Sequence, residues 1–180
     1  DFAMSKIAAN EKFGGNILRK AIDYFSHLAV HPEWYQEMSK DKTFMESKYA
    51  PRIKWLKDEW DGIYDPSYDD ILRVSFMYKF GRAKMKDLVS LLGGRDFKTR
   101  DYKEEIAEDS FMKLSEGVMD FMNEFSFSNF VLAIKSAGLV SSALINSQMT
   151  LNFAYMLYLI LHTNNQIDKT QIKKQPLNNR

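Results

Sequence analysis

DPSYDDILRVSFMYKFG, residues 65–81, contains the start, the body and the stop of one helix. Asp65 is placed to cap. Pro66 suits the first helical position, where the N–H it lacks would have no intrahelical partner. Asp69 and Asp70 follow early, where the helix dipole favours negative charge, and Gly81 ends the segment. The same signals recur on both sides of this stretch, so its reading as a helix sets the reading of the chain.

Toward the N-terminus, NILRKAIDYFSHLAV (residues 16–30) places Ile17, Leu18, Ala21, Ile22, Phe25, Leu28 and Ala29 on one stripe. Asn16 is positioned to cap it, and Gly14 and Gly15 to end a helix already under way at Asp1. This predicts a helix over 17–30. Pro32 forces a break and suits the first turn of a short helix over 33–38. A further helix is expected in KTFMESKYAPRIKWLKDEW (42–60), interrupted near Pro51.

Toward the C-terminus, KMKDLVSLLGG (84–94) reads as a short helix stopped by Gly93 and Gly94, and RDFKTRDY (95–102) as a polar, basic loop. The longest helix is expected from Tyr102 to about Phe125, with Phe111, Leu114, Val118, Phe121, Met122 and Phe125 as its stripe. A helix from Ser128 to Ala137 stops at Gly138. LNFAYMLYLIL (151–161) lies in a core helix expected over about 149–162, and is well short of the roughly 20 residues a bilayer needs. IDKTQIKKQPLNNR (167–180) reads as a short helix and a tail. Sustained period-two alternation is absent. The fold class is therefore all-α, a single irregular bundle of about seven to nine helices over residues 1–180.

The 180 residues, 45% hydrophobic and 14% aromatic, suffice to bury roughly 70% of the unfolded surface in one core. With 25 basic and 24 acidic side chains the net charge is +1, so any affinity for nucleic acid has to come from a local patch. There is no Cys, which excludes disulfides, thiolate metal sites and a cysteine nucleophile within these residues, and suits a cytoplasmic location. A start other than Met leads to the expectation that the chain is an internal piece of a longer protein.

His27 and His31, one turn apart with Asp23 a turn earlier, have metal-ligand spacing, but a frayed helix end and a surface edge explain them equally. Asp58, Glu59, Asp61, Asp65, Asp69 and Asp70 crowd one stretch. The calcium-loop pattern fails there, because Gly62 would require an acid where Lys57 stands, and capping accounts for several of the carboxylates. The glycine pair of LLGGRDFKTR lacks a phosphate-loop pattern and reads as a helix stop. No catalytic or metal residue is therefore assigned, and no cofactor.

The charge pattern says more. Residues 79–103 carry eight basic side chains against three acidic ones, and 104–124 carry seven acids against Lys113 alone. The two blocks could neutralise each other across a helix pair. Arg82, Lys84, Lys86, Arg95, Lys98 and Arg100, with Phe97 and Tyr102 interleaved, also have the composition of a contact that tracks a nucleic-acid backbone.

DFAMSKIAANEKFGGNILRKAIDYFSHLAV, YDPSYDDILRVSFMYKFGRAK, DLVSLLGGRDFKTRDYKEEIAEDSF and LNFAYMLYL together resemble the helical region of the large prokaryotic family called domain of unknown function 262, whose relatives include the GmrSD modification-dependent restriction endonucleases. Asp1, Phe2, Ser5 and Lys6 match the start of a helix that in the family follows a ParB/sulfiredoxin-like domain bearing a DGQQR signature. The resemblance implies a parent that cleaves DNA in a nucleotide-dependent way in phage defence, with an N-terminal ParB-like domain and a C-terminal nuclease region as partners in the same chain. Neither DGQQR nor an H-N-H constellation occurs here, so no catalytic residue carries over. What is expected of this chain is a non-catalytic helical module that supports the ParB-like domain and is a candidate for DNA contact. The alternatives are an assembly or homo-oligomerisation module and a metal- or small-ligand-binding helical domain.

Overall fold

The computed structural model describes residues 17–30, 32–58, 62–139, 141, 144 and 147–163. The expected first helix, the Gly14 and Gly15 stop, the Asn16 cap, His31, Glu59, Asp61 and the tail from residue 164 lie outside the described residues.

The fold is all-α. α1 (Ile17–Val30) leads through a 3-10 turn (Pro32–Trp34) into two short helices, α2 (Tyr35–Lys40) and α3 (Lys42–Met45). There follow α4 (Ala50–Asp58), α5 (Tyr68–Phe80), α6 (Met85–Leu92), α7 (Glu104–Phe121), α8 (Glu124–Ser136) and α9 (Gln148–Thr163). Pro51 does not interrupt a helix but sits in the first turn of α4, where its missing N–H costs nothing. The break lies just before it, over 46–49, where the Tyr49 hydroxyl meets Ser115 of α7 at 2.6 Å.

α5 begins two residues later than its acidic and proline signals suggest. Ser67 is the N-cap: its hydroxyl accepts the Asp70 N–H, and the Asp70 carboxylate accepts the Ser67 N–H at 2.9 Å. This reciprocal box satisfies two otherwise unpaired donors, an arrangement a cap at Asp65 cannot match because Tyr68 stands three residues on. Asp65 instead accepts the Gly62 N–H. Gly81 closes α5 in the left-handed conformation, as expected.

α5 is the hub, and its most extensive contacts are with α7 and α9. It lies so close to α7 that a Cβ at Gly117 would come within 2.9 Å of the Lys79 stem and 3.0 Å of Ser75. Over that crossing Lys79 reaches Asp120 at 2.8 Å and Glu116 at 3.5 Å. Burial pulls the Lys79 pKa down, but the acids, Asp120 foremost, outweigh it and the net shift is upward.

α9 runs parallel to α5. Near their N-terminal ends the Asn152 amide donates to Asp70 at 2.6 Å, and near their C-terminal ends the Tyr78 and Thr163 hydroxyls meet at 2.8 Å. Asn152 is fully buried and also accepts the Tyr64 hydroxyl at 3.1 Å. Around it Tyr64, Phe121, Phe127, Phe130 and Tyr155 pack mostly edge-to-face or tilted, with centroids 4.8 to 6.2 Å apart.

Two boundaries differ from expectation, the end of α7 at Phe121 in place of Phe125 and the start of α8 at Glu124 in place of Ser128. α7 ends at Phe121 because Asn123 caps a new helix, its carboxamide accepting the Ser126 N–H at 3.0 Å. Phe125 therefore leaves the α7 stripe and stands 56% exposed on α8. α9 is not buried all round: Leu151, Tyr155, Met156 and Leu159 face the core, while Met149, Phe153, Leu157 and Leu161 are exposed. No helix among the described residues is long and apolar enough to cross a membrane.

Asn152→Leu keeps the volume but leaves the Tyr64 hydroxyl and an Asp70 oxygen without their partner. We expect a loss of about 2–3 kcal/mol in urea denaturation with the slope unchanged. A second expectation concerns Asp41, which pairs with Lys20, accepts the Tyr24 hydroxyl at 2.8 Å and caps α3 by accepting the Phe44 N–H at 3.1 Å. These donors, Lys20 first, hold its carboxyl down to about 2, from 3.8. A depressed carboxylate stabilises the fold above its unfolded pKa and loses that contribution as pH falls. Thermal melts should therefore show Asp41→Asn less stable than the parent at pH 7, with the gap closing between 3.8 and about 2.

Candidate nucleic-acid interface

The six basic residues singled out in the sequence belong to two segments, the approach to α6 and the turn after it. Gly81 stops α5, and Arg82 then turns back: its guanidinium pairs with Asp87 of α6 at 3.0 Å and lies 4.4 Å above the centre of the Phe97 ring. One side chain thus ties the residues before α6 to the turn that follows it, by charge and by cation–π attraction. Lys84 and Lys86, at the start of α6, are exposed.

The turn is held by its own backbone. Asp96 donates its N–H to the Asp101 carbonyl at 2.8 Å and accepts the Arg100 N–H on its carbonyl at 2.8 Å. Its carboxylate accepts the Lys98 and Thr99 N–H groups at 2.7 and 3.2 Å, and these bonds lower its pKa. Arg100 has a φ of +65°, the left-handed value adopted by no other non-glycine residue described. That conformation is unfavourable for an unbranched L-residue and persists only where surrounding bonds determine it, as the Asp96 contacts do. At the base of the turn Arg95 and Tyr102 form an isolated antiparallel bridge, and Lys103 donates to the Gly94 carbonyl at 2.8 Å. Gly94 has a φ of +87°, and a Cβ there would stand 2.5 Å from the Lys103 carbonyl oxygen.

Lys98 and Arg100 project from the tip into solvent, Tyr102 is 71% exposed, and Arg95 is half-buried at the base. Lys84, Lys86, Lys98 and Arg100 make no ion pair among the described residues. Of the basic run, Lys79 is the member that pairs with the acidic α7, so the expected neutralisation across a helix pair is confined to that crossing among the described residues. Lys103 lines an open depression with Glu104, Glu105 and Glu108, which bounds the cationic surface on the α7 side.

The other candidates take structural places. His27 stacks on Trp34 at 4.2 Å, with Asp23 3.7 Å away. Asp69 pairs with Arg73 at 2.7 Å, Asp70 serves the α5 cap and Asn152, and Asp58 is exposed at the end of α4. Among the described residues no group of three or more His, Asp or Glu side chains could hold a metal ion. Gly93 and Gly94 follow α6 as its stop. No family model matches the chain, and neither does any curated protein or solved structure.

The stack of Arg82 on Phe97 spans fifteen residues and leaves no local signal. The exposed stripe of α9, by contrast, was present as an i, i+4 series, but one hidden in a helix apolar on every side.

Gly94→Ala should loosen the turn by about 1–3 kcal/mol, since its Cβ has to displace backbone. In hydrogen exchange the amides of Arg95 and Lys103 are expected to lose protection while those of α9 keep theirs.

Proposed function

We propose that the chain is a non-catalytic helical module of a GmrSD-like, nucleotide-dependent DNA-targeting protein, one that supports a ParB-like domain and meets DNA through the α6 turn. The observation that carries the DNA contact is the Arg82 guanidinium seated between Asp87 and Phe97, which draws two cationic segments together. The four cations that make no ion pair among the described residues are then placed to meet phosphates, while the braced turn spares Lys98 and Arg100 part of the ordering cost of binding. Lys and Arg on an exposed turn neutralise phosphates and release counterions without reading sequence. Tyr102, beside them, offers a ring face to a base. The acids at the start of α7 repel phosphate and restrict its path to the turn and the N-terminal end of α6.

The test is a titration of duplex DNA at several salt concentrations. Binding should weaken by roughly 0.9 log units per log unit of salt for each phosphate neutralised, and Lys98→Ala combined with Arg100→Ala should lower that slope by about two. Affinity and slope indifferent to the pair would remove the proposal.

A further inference from the structure

Four of the exposed large hydrophobic side chains among the described residues lie on α9. Met149, Phe153, Leu157 and Leu161 recur at every fourth position of α9 and are 45%, 51%, 41% and 39% exposed. Side chains four apart form one ridge on a helix, here about 18 Å long over twelve residues. α8 extends the ridge sideways. Phe125 reaches His162 at 6.3 Å and is 56% exposed, and Leu132, two turns along the same face of α8, is 53% exposed.

The α9 ridge is also free of charge, and the charged residues of α8, Glu124 and Lys135, lie at the two ends of that helix. α9 contains no Asp, Glu, Lys or Arg in sixteen residues, in a chain where such residues make up 27%, and residues 125–134 contain none either. A ridge set by core packing alone would carry polar and charged side chains on its outer face. Half-exposed side chains of this size offer on the order of 100 Å² each, so these six approach the roughly 800 Å² per partner of a standard interface. That sum lies at the upper end of the roughly 300–600 Å² of the largest apolar patch on an ordinary monomer, a patch that is often functional.

The chemistry of the face selects its occupant. DNA is disfavoured, because the only cation on α8 or α9 is Lys135 at the end of α8. An interfacial lipid helix carries Lys or Arg beside its apolar face, whereas the other side of α9 is sealed in the core. An uncharged ridge does not repel its own copy, and in an antiparallel crossing Phe153 would meet Leu157 of the second copy and Met149 would meet Leu161, the self-complementary pattern a two-fold axis requires. Ridges of i, i+4 type interdigitate at a crossing angle near −50°.

We propose that α9, flanked by Phe125 and Leu132 of α8, is the interface of a two-fold homodimer. The proposal does not depend on the nucleic-acid reading, because it uses none of the basic turn.

Sedimentation equilibrium of the chain tests it. We expect a reversible dimer with a Kd of roughly micromolar order, and F153E together with L157E should raise that Kd at least about a hundredfold while leaving helicity unchanged. Since the chain has no Cys, F153C and L157C chains can also be mixed and oxidised: the antiparallel crossing requires the mixed disulfide to dominate. A dimer that survives both glutamates overturns the proposal, and so does a chain that stays monomeric. In a monomer, thermal stability lowered by the glutamates assigns the ridge to another segment of the same chain, and unchanged stability assigns it to a different protein.

Discussion

The amide of Asn152 is the constraint on which the bundle turns. It is buried where α9 meets the start of α5 and joins two elements there: Tyr64 donates to its oxygen and its nitrogen donates to Asp70. A buried amide tolerates few positions, because shifting α9 by one residue would put an apolar side chain against Asp70 and leave the amide unpaired among rings. Apolar contacts alone would let α9 slide along α5. The amide gives one register, and the Tyr78–Thr163 bond at the other end is consistent with it. Asp70 links this register to the local signal of the chain, since the same carboxylate closes the Ser67 box that starts α5.

With α9 fixed on one side of α5, the other side is fixed by space. Ser75 and Gly117 let two backbones approach within side-chain-free distance, and Lys79 lies across the gap to Asp120. Tight crossings of this kind depend on the absence of a Cβ, a feature that hydrophobic periodicity cannot register. The aromatic cluster then closes α7, α8 and α9 around Tyr155, whose hydroxyl, too deep for water, donates to the Phe121 carbonyl at 2.8 Å. Burial raises the pKa of that phenol well above its usual value, so it remains a donor.

What was legible from sequence follows the range of the forces involved. The helix over 17–30, the Gly81 stop and the all-α class depend on neighbours within one or two turns and were readable. The start of α5 at Ser67 is not legible because Asp65 and Ser67 compete as caps two residues apart and reciprocity with Asp70 decides between them. The α7 to α8 boundary was missed because Met122 and Phe125 continue an apolar stripe that Asn123 interrupts by a hydrogen bond alone. For α9 the difficulty was different in kind. A helix apolar on all sides is ordinarily buried on all sides, and only the placement of α5 and α8 shows which half remains in water. The six cations were found as residues, but Arg82 was not distinguishable from Lys98 until its stack on Phe97 gave the one a structural task and left the other free.

These two surfaces belong to different helices, linked through α5 and through α7, and share no side chain, so changes in one are expected to add to changes in the other. Their functions would nevertheless multiply. A two-fold pairing through α9 would carry two copies of the basic turn, and the second turn would then meet DNA at an effective concentration set by geometry and no longer by the protein in solution. A turn with only a few cations is a weak site by itself, since each phosphate contact contributes little at physiological salt. Duplicating it through an uncharged interface would raise avidity without adding net repulsion between the subunits, a physical reason for α9 to present no Asp, Glu, Lys or Arg on the proposed dimer face.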